Sequence, residues 1–131
     1  MATAIKLGNR PKVIIKTIEF SMVDPDTGIP TTGRIACHYK YRTQTEFGAW
    51  LDAKAKTHGL DAAAIGSNHD LYERVCTNSA ESILDVLDGW DIPDQALSPA
   101  TAFQLIDEVP AAGIAILTGY REAITEGRLG N

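Results

Sequence analysis

The sequence contains few of the residues that build disulfide-linked or membrane-spanning structures. Of its 131 residues, two are cysteine, two are tryptophan and three are phenylalanine. Cys37 and Cys76 are too few for a disulfide framework, and neither belongs to a Cys-x-x-Cys pair. No apolar run approaches the roughly 18 residues that cross a bilayer, and residues 1–10 lack the apolar segment of a signal peptide. We therefore expect a cytosolic protein with two free thiols and no membrane contact.

Basic residues are also scarce. The chain has 12 lysines and arginines against 17 aspartates and glutamates, which gives a net charge of −5 and a pI of about 5.1. This balance argues against binding along a nucleic-acid backbone, which needs a clustered basic surface, although Arg34, Lys40 and Arg42 could form a local patch. With 44% hydrophobic and 22% charged residues, the composition is that of a globular protein. The length fits one domain, residues 1–131, with flexible ends at 1–11 and 127–131.

The N-terminal part predicts a β-hairpin over residues 12–41. Its first strand, residues 12–23, is rich in β-branched residues. Apart from Lys16, one face of this strand carries Ile14, Ile18, Phe20 and Met22. Residues 24–30 are dense in turn formers, and the inward side of the second strand carries Ile35, Cys37, Tyr39 and Tyr41. Because a lone hairpin is marginal in water, it must pack on helices or pair with another chain.

Residues 43–126 predict the helical part of the chain. Thr43 and Glu46 form a capping box that opens a helix ending at Gly59. The buried side of this helix is predicted to contain Phe47, Trp50, Leu51 and Ala55. Residues 60–67 are ambiguous, and within them residues 61–65 fit a short helix closed by Gly66 or a loop. Asn68 or Asp70 then caps a long helix, whose inner face is predicted to carry Leu71, Val75, Ser79, Ile83, Val86 and Leu87.

Three residues mark the end of the long helix and the start of the next. Gly89 is predicted as its C-cap and Trp90 as a buried anchor just beyond it. Ser98 and the proline that follows it start a further helix, which Pro110 ends or kinks. A last helix, residues 111–126, is predicted to face inward through Ile114, Leu117, Tyr120 or Arg121, and Ile124. The expected fold is α+β, an N-terminal β-hairpin followed by a mostly helical domain of about four to five helices.

Three groups of residues resemble metal or acidic sites. Residues 24–28 begin like a calcium loop, but glycine stands at the fifth position instead of the sixth, so a hairpin turn is favoured. Zinc ligands usually come in close pairs, and neighbouring residues on a strand point to opposite faces. This disfavours a zinc site made of Cys37, His38, His69 and Cys76. A solvated edge is the favoured interpretation of the aspartates that recur at 85, 88, 91 and 94.

No motif in the sequence supports catalysis. The chain lacks Gly-x-Ser-x-Gly, a glycine-rich phosphate loop and His-Glu-x-x-His. His69 and Cys76 stand seven residues apart, which on a helix separates them by roughly 10 Å along the axis. We therefore expect no enzyme activity, no cofactor and no catalytic or metal site.

The C-terminal half resembles a known family through four features. These are the segment Leu87-Asp88-Gly89-Trp90-Asp91-Ile92, the helix start at Ser98-Pro99, the helix end at Pro110 and an amphipathic helix through Tyr120. Together they resemble the tail assembly chaperones of long-tailed bacteriophages. The hairpin and the Tyr39-x-Tyr41-Arg42-Thr43 entry into a helix resemble one branch of that family. The resemblance covers about two thirds of the chain, and its motifs specify packing instead of chemistry.

The resemblance implies a chaperone that acts in the cytoplasm of an infected or lysogenic host and is absent from the mature virion. Such a chaperone binds the tape measure protein, keeps it soluble and helps recruit tail tube subunits. It has no nucleic-acid or membrane partner, and a homo-oligomer is compatible with it. A longer frameshifted product also occurs in this family. Candidate residues for the apolar protein-binding surface are Trp90, Ile92, Leu97, Ile114, Leu117 and Tyr120.

Two other functions remain open at the level of sequence. A structural tail or head-completion protein would be retained in purified virions. A small cytosolic enzyme or ligand-binding domain would need a polar cleft with convergent ionisable groups.

Overall fold

The fold is α+β, as the sequence predicts, and in the part of the chain that the structure describes it has an N-terminal hairpin followed by four helices and one further short strand. A computed structural model describes residues 2–57 and 65–125. Within these ranges the elements in chain order are β1 (Val13–Val23), β2 (Pro30–Lys40), α1 (Gln44–Thr57), α2 (Asn68–Val86), β3 (Leu87–Trp90), α3 (Pro99–Glu108) and α4 (Pro110–Thr125). The short strand β3, which the sequence patterns do not predict, gives a three-stranded sheet of order β1-β2-β3.

The hairpin turn forms around the side chain of Asp24. Its Oδ1 atom accepts hydrogen bonds from the backbone N–H groups of Asp26 at 2.8 Å and Thr27 at 3.2 Å. Gly28 adopts a positive φ of 71°, which glycine does without a steric penalty. The carboxylate therefore stabilises the turn itself, and the predicted hairpin is confirmed, with β1 and β2 antiparallel over their full length.

The end of α2 differs from the prediction. The helix ends at Val86, and the N–H of Leu87 donates to the carbonyl of Ile83 as the chain turns into an extended conformation. Gly89 then pairs with His38, and Trp90 pairs with Cys37, on the free edge of β2. The predicted C-cap at Gly89 is wrong, because the unpaired backbone of β2 offers partners that extend the sheet. In the sequence, the helical spacing of apolar residues continues through Trp90. It therefore gives no sign that residues 87–90 pair with β2 as a strand.

The inner face of α4 is also shifted from the prediction. Ile114 is 68% exposed and Leu117 is half-buried. The buried residues of this helix are Ala112, Gly113, Ile116, Gly119, Tyr120, Ala123 and Ile124. A Cβ atom at position 119 would lie 2.7 Å from Tyr39 Oη and 2.8 Å from Ile18 Cγ2. Small residues face inward because they let α4 approach the sheet closely, and this displaces the larger Ile114 to the surface.

Two of the predicted helix starts are confirmed and one is corrected. The backbone N–H of Thr43 donates to Glu46 Oε1 at 2.8 Å, and Ser98 forms a capping box with Thr101. At the start of α2, however, the cap is Ser67, whose hydroxyl accepts from the N–H of Asp70. On the inner faces of α1 and α2, three predicted residues are exposed, namely Leu51, Ala55 and Val75. The predictions for Gly59 and for most of 61–65 fall outside the described residues.

Arg42 joins α1, α4 and the sheet. Its guanidinium donates to Tyr120 Oη at 2.9 Å and lies 5.2 Å from the centre of the Trp50 ring. Tyr120 Oη in turn donates to the carbonyl of Lys40 at 3.0 Å. The indole N–H of Trp50 donates to Asp85 on α2 at 3.0 Å. Cation–π and hydrogen-bond contacts therefore orient α1, which has only one fully buried residue of its own.

Within the described residues, no single helix is long and apolar enough to cross a bilayer. The helices α3 and α4 reach that length and composition only when taken together, and they meet at an angle of 115°.

We expect the stability of this fold to fall in alkaline solution. Cys37 is 0% exposed, and burial raises the pKa of its thiol from 9.0 to about 12. Burial also raises the pKa of Tyr39. In the unfolded chain the Cys37 thiol ionises near pH 9, whereas the folded state keeps it protonated. This contribution to stability is complete below pH 9 and is lost between about pH 9 and 12, at about 1.4 kcal/mol per pH unit.

Urea denaturation at a series of pH values measures this loss. The free energy of unfolding should decline more steeply above pH 9 in the wild type than in Cys37→Ala, whose lower absolute stability does not affect the comparison of slopes. If the free energy of unfolding declined equally steeply with pH in both proteins, the buried Cys37 thiol would not be the cause of the loss.

Candidate protein-binding groove

The six residues predicted to bind a protein do not form one surface. Trp90 and Ile92 line a common groove, whereas Leu97 and Leu117 are half-buried against the core. Ile114 projects into solvent from α4. The prediction for Tyr120 needs correction: its side chain is 1% exposed, and its hydroxyl is held by Arg42 and the carbonyl of Lys40. The ring belongs to the core because the small residues around it bring α4 onto the sheet.

The groove lies between α3 and the segment that follows β3. Its volume is about 200 Å³, and it is lined by Trp90, Ile92, Gln95, Thr101, Gln104, Leu105, Glu108 and Val109. The indole N–H of Trp90 donates to the carbonyl of Gln95 at 2.5 Å, so the polar edge of the ring is satisfied inside the protein. What Trp90 contributes to the groove is therefore apolar area.

A backbone turn and a hydrogen bond fix the loop that forms one wall of the groove. Asp94 adopts a positive φ of 59°, a conformation that aspartate tolerates better than most residues, and turns the chain. The hydroxyl of Thr101, in the first turn of α3, donates to the carbonyl of Ala96 at 2.8 Å. The wall is thus anchored to both β3 and α3.

The regularly spaced aspartates divide into two kinds. Asp91 Oδ1 accepts from the backbone N–H of Ala36 at 2.8 Å, which ends the pairing of β2 on this side. Burial opposes the ionisation of Asp85, but hydrogen bonds from Lys54 and Trp50 outweigh it and hold the pKa of its carboxyl below the ordinary value. Asp88 and Asp94 are exposed. The set is therefore not one acidic surface, because two of its four members form structural contacts.

The segment of the chain that forms the groove nevertheless carries only acidic charges. Between Arg74 and Arg121 the sequence has no lysine or arginine, and it has seven aspartates and glutamates. Every residue that lines the groove lies in this interval. An apolar partner segment that also carries positive charge is favoured there, and an acidic segment is disfavoured.

A second cleft, of about 280 Å³, lies between α2 and α3. It is lined by His69, Tyr72, Glu73, Cys76, Phe103 and Asp107. Burial, and then the negative charge of Asp107, raise the pKa of the Cys76 thiol, so the thiolate is disfavoured. Cys37 is on the sheet, apart from this cleft, and in the described ranges no group of three or more histidine, cysteine or acidic residues could hold a metal ion. The cleft therefore lacks the features of a nucleophilic or metal centre.

Sequence reasoning missed Leu105, Val109 and Gln95 as groove residues. Leu105 stands beside the apolar stripe of α3, and Val109 directly precedes Pro110. The available signal was their apolar side chains next to Ile106 and Pro110 in the sequence. The loop that brings Gln95 against Trp90 has no periodic pattern, so its wall of the groove could not be placed from sequence.

A family model described as "Phage tail assembly chaperone" matches residues 1–131, the whole chain. No curated protein and no solved structure matches the chain. The family match includes the N-terminal hairpin as well as the C-terminal motifs.

Proposed function

The chain belongs to the phage tail assembly chaperone family, and we propose that it binds the tape measure protein, keeps it soluble and helps recruit tail tube subunits. The family itself suggests a non-catalytic role in tail assembly and interaction with tail proteins in general. The whole-chain family match is the observation that carries the proposal. The groove adds a place where an apolar segment of the tape measure protein would be shielded from water.

The shape of the groove supports binding of an amphipathic helix. Apolar area from Trp90, Ile92, Leu105 and Val109 lies beside the polar side chains that complete the lining. Recognition of a helix in a groove uses anchors at i, i+3 or i+4, and a site of about 200 Å³ accommodates one or two such side chains. Acidic surroundings favour a helix with lysine or arginine beside its apolar anchors.

We further propose that the protein acts in the host cytoplasm, where the tape measure protein is synthesised, and leaves before the virion is complete. A small groove is consistent with transient binding, because it buries only one or two side chains of its partner and therefore gives a low affinity. Polymerising tube subunits can then displace the chaperone. Recruitment of tube subunits rests on the family alone.

Co-expression tests the proposal. The tape measure protein encoded with this chain should be found mainly in the pellet when produced alone and in the soluble fraction when the chain is present. Peptide mass spectrometry of purified particles should detect the tape measure protein and not this chain. An unchanged pellet fraction, or this chain at stoichiometric levels in the particles, would refute the chaperone role.

A further inference from the structure

The second cleft, between α2 and α3, combines aromatic and acidic side chains. It is lined by His69, Tyr72, Glu73, Cys76, Phe103 and Asp107. On α2 the lining residues are spaced as i, i+3, i+4 and i+7, and on α3 they are spaced as i and i+4. Residues at these spacings share one side of a helix, so each helix turns all of its lining residues toward the cleft.

The apolar part of the lining consists of a half-buried surface and an exposed ring. Cys76 and Phe103 are half-buried and pack against the core. The Tyr72 ring is 68% exposed. An accessible aromatic face attracts a cation, and the methylene stem of a long basic side chain can lie along the same apolar surface. These residues therefore favour a ligand with an apolar stem and a positively charged end.

The acidic part of the lining consists of one carboxylate from each helix. Glu73 of α2 and Asp107 of α3 are both exposed, and neither forms a salt bridge with another described residue. Burial first, and the charge of Asp107 second, raise the pKa of the Cys76 thiol, so this charge reaches across the cleft to α2. A cation placed in the cleft would interact favourably with both helices.

The described residues themselves do not supply that cation. Arg74 is the one lysine or arginine on α2, but it lies about 100° around the helix from Glu73 and does not line the cleft. Helix α3 has no lysine or arginine. His69 Nδ1 is 3.7 Å from Asp70 Oδ1, so a protonated His69 pairs with that carboxylate. A calcium ion needs six to eight oxygen ligands, far more than two carboxylates provide.

We propose that the second cleft binds an arginine side chain of a partner protein. The guanidinium contacts Glu73 and Asp107, and the methylene stem packs on Tyr72 and Phe103. Arginine is favoured over lysine, because its planar guanidinium stacks on aromatic rings and offers N–H donors to two carboxylates at once. An arginine within a polypeptide is favoured over the free amino acid, because the lining has no lysine or arginine to receive an α-carboxylate.

The second cleft is a separate site from the groove. Phe103 lines the cleft and Leu105 lines the groove, and these two residues are about 200° apart around α3. The two sites therefore lie on opposite sides of the same helix. The arginine site does not depend on the proposed function, and loss of binding at one site leaves the other intact.

NMR titration of the isotope-labelled chain with the blocked peptide acetyl-Ala-Arg-Ala-amide tests the site. At low ionic strength we expect a dissociation constant of about 1–10 mM, with chemical-shift changes at the backbone amides of the lining residues. The same peptide with citrulline, which has nearly the shape of arginine but no charge, should bind at least about fivefold more weakly. Free arginine should also bind more weakly than the blocked peptide. Equal binding of the arginine and citrulline peptides, tighter binding of free arginine, or no shift changes up to about 50 mM would overturn the proposal.

Three substitutions at exposed positions assign the binding to the cleft. Asp107→Asn removes one carboxylate and Tyr72→Ala removes the exposed ring, so each should weaken binding of the arginine peptide about two- to fivefold. Asp88→Asn is the matched control and should leave the affinity unchanged, because Asp88 is exposed and lines neither the cleft nor the groove. The spectra also report whether each variant is folded. Equal weakening by Asp88→Asn and Asp107→Asn would indicate attraction to the net charge alone and reject the site.

Discussion

Tyr39→Ala is expected to lower the free energy of unfolding by about 4 kcal/mol, close to the range for a fully buried aromatic residue. Tyr39 is 0% exposed, and its hydroxyl donates to the carbonyl of Ile116 at 2.7 Å. Its ring lies 5.4 Å from that of Tyr120, so the substitution removes contacts between β2 and α4. Urea denaturation followed by circular dichroism measures the change, with the m-value unchanged if the unfolding remains two-state.

Two further tyrosine variants separate the causes of that loss. Tyr39→Phe keeps the ring and removes the hydrogen bond, and it should cost about 1 kcal/mol. Tyr72→Ala removes a ring that is 68% exposed and should change stability by no more than about 0.5 kcal/mol. A loss under 1 kcal/mol for Tyr39→Ala would show that this tyrosine is not a central part of the core.

The second large effect is expected at Gly119, where α4 comes closest to the sheet. Gly119→Val should lower the free energy of unfolding by about 2–3 kcal/mol, because the added atoms overlap Tyr39 and Ile18 in a packed core. Gly48 is the matched control, since it lies inside α1 with no atom within 4 Å of an added Cβ. Gly48→Ala should raise stability by up to about 1 kcal/mol, through helix propensity alone.

Thermal unfolding of both glycine variants tests the packing of α4. Gly119→Val should melt below the wild type, and Gly48→Ala should melt at or above it. If Gly119→Val melted at the wild-type temperature, α4 could not lie as close to Tyr39 as the structure places it.

Local signals predicted the parts of the fold that local contacts determine. The turn at Asp24 and the caps at Thr43 and Ser98 depend on residues within three or four positions of each other, and all three are confirmed. Strand β3 could not be predicted, because Gly89 and Trp90 are extended by pairing with β2, some fifty residues earlier in the chain. The prediction for the inner face of α4 was wrong for a related reason. Periodicity favours large apolar residues such as Ile114, whereas close approach to the sheet favours Gly119.

The candidate site was predicted only in part. Trp90 and Ile92 were identified as apolar residues near a helix end, and the structure places both in the groove. Tyr120 was identified by the same reasoning, yet it is buried against Arg42. Sequence patterns find apolar residues on helices and strands, but which of them stay accessible depends on how the elements pack. The binding role of the groove remains a prediction.

Calorimetric titration of the purified chain with soluble tape measure segments tests most directly whether the groove binds the tape measure protein. We expect the wild type to bind a segment with apolar anchors flanked by basic residues. Leu105→Glu, which places a charge in the groove, should weaken binding by at least about tenfold, equivalent to 1.4 kcal/mol. Leu51→Glu is the control, because it makes the same substitution at an exposed position outside the groove-lining set. Equal binding by the wild type and Leu105→Glu, with both folded, would contradict the groove as the binding site. The absence of binding to any segment would contradict the chaperone function itself.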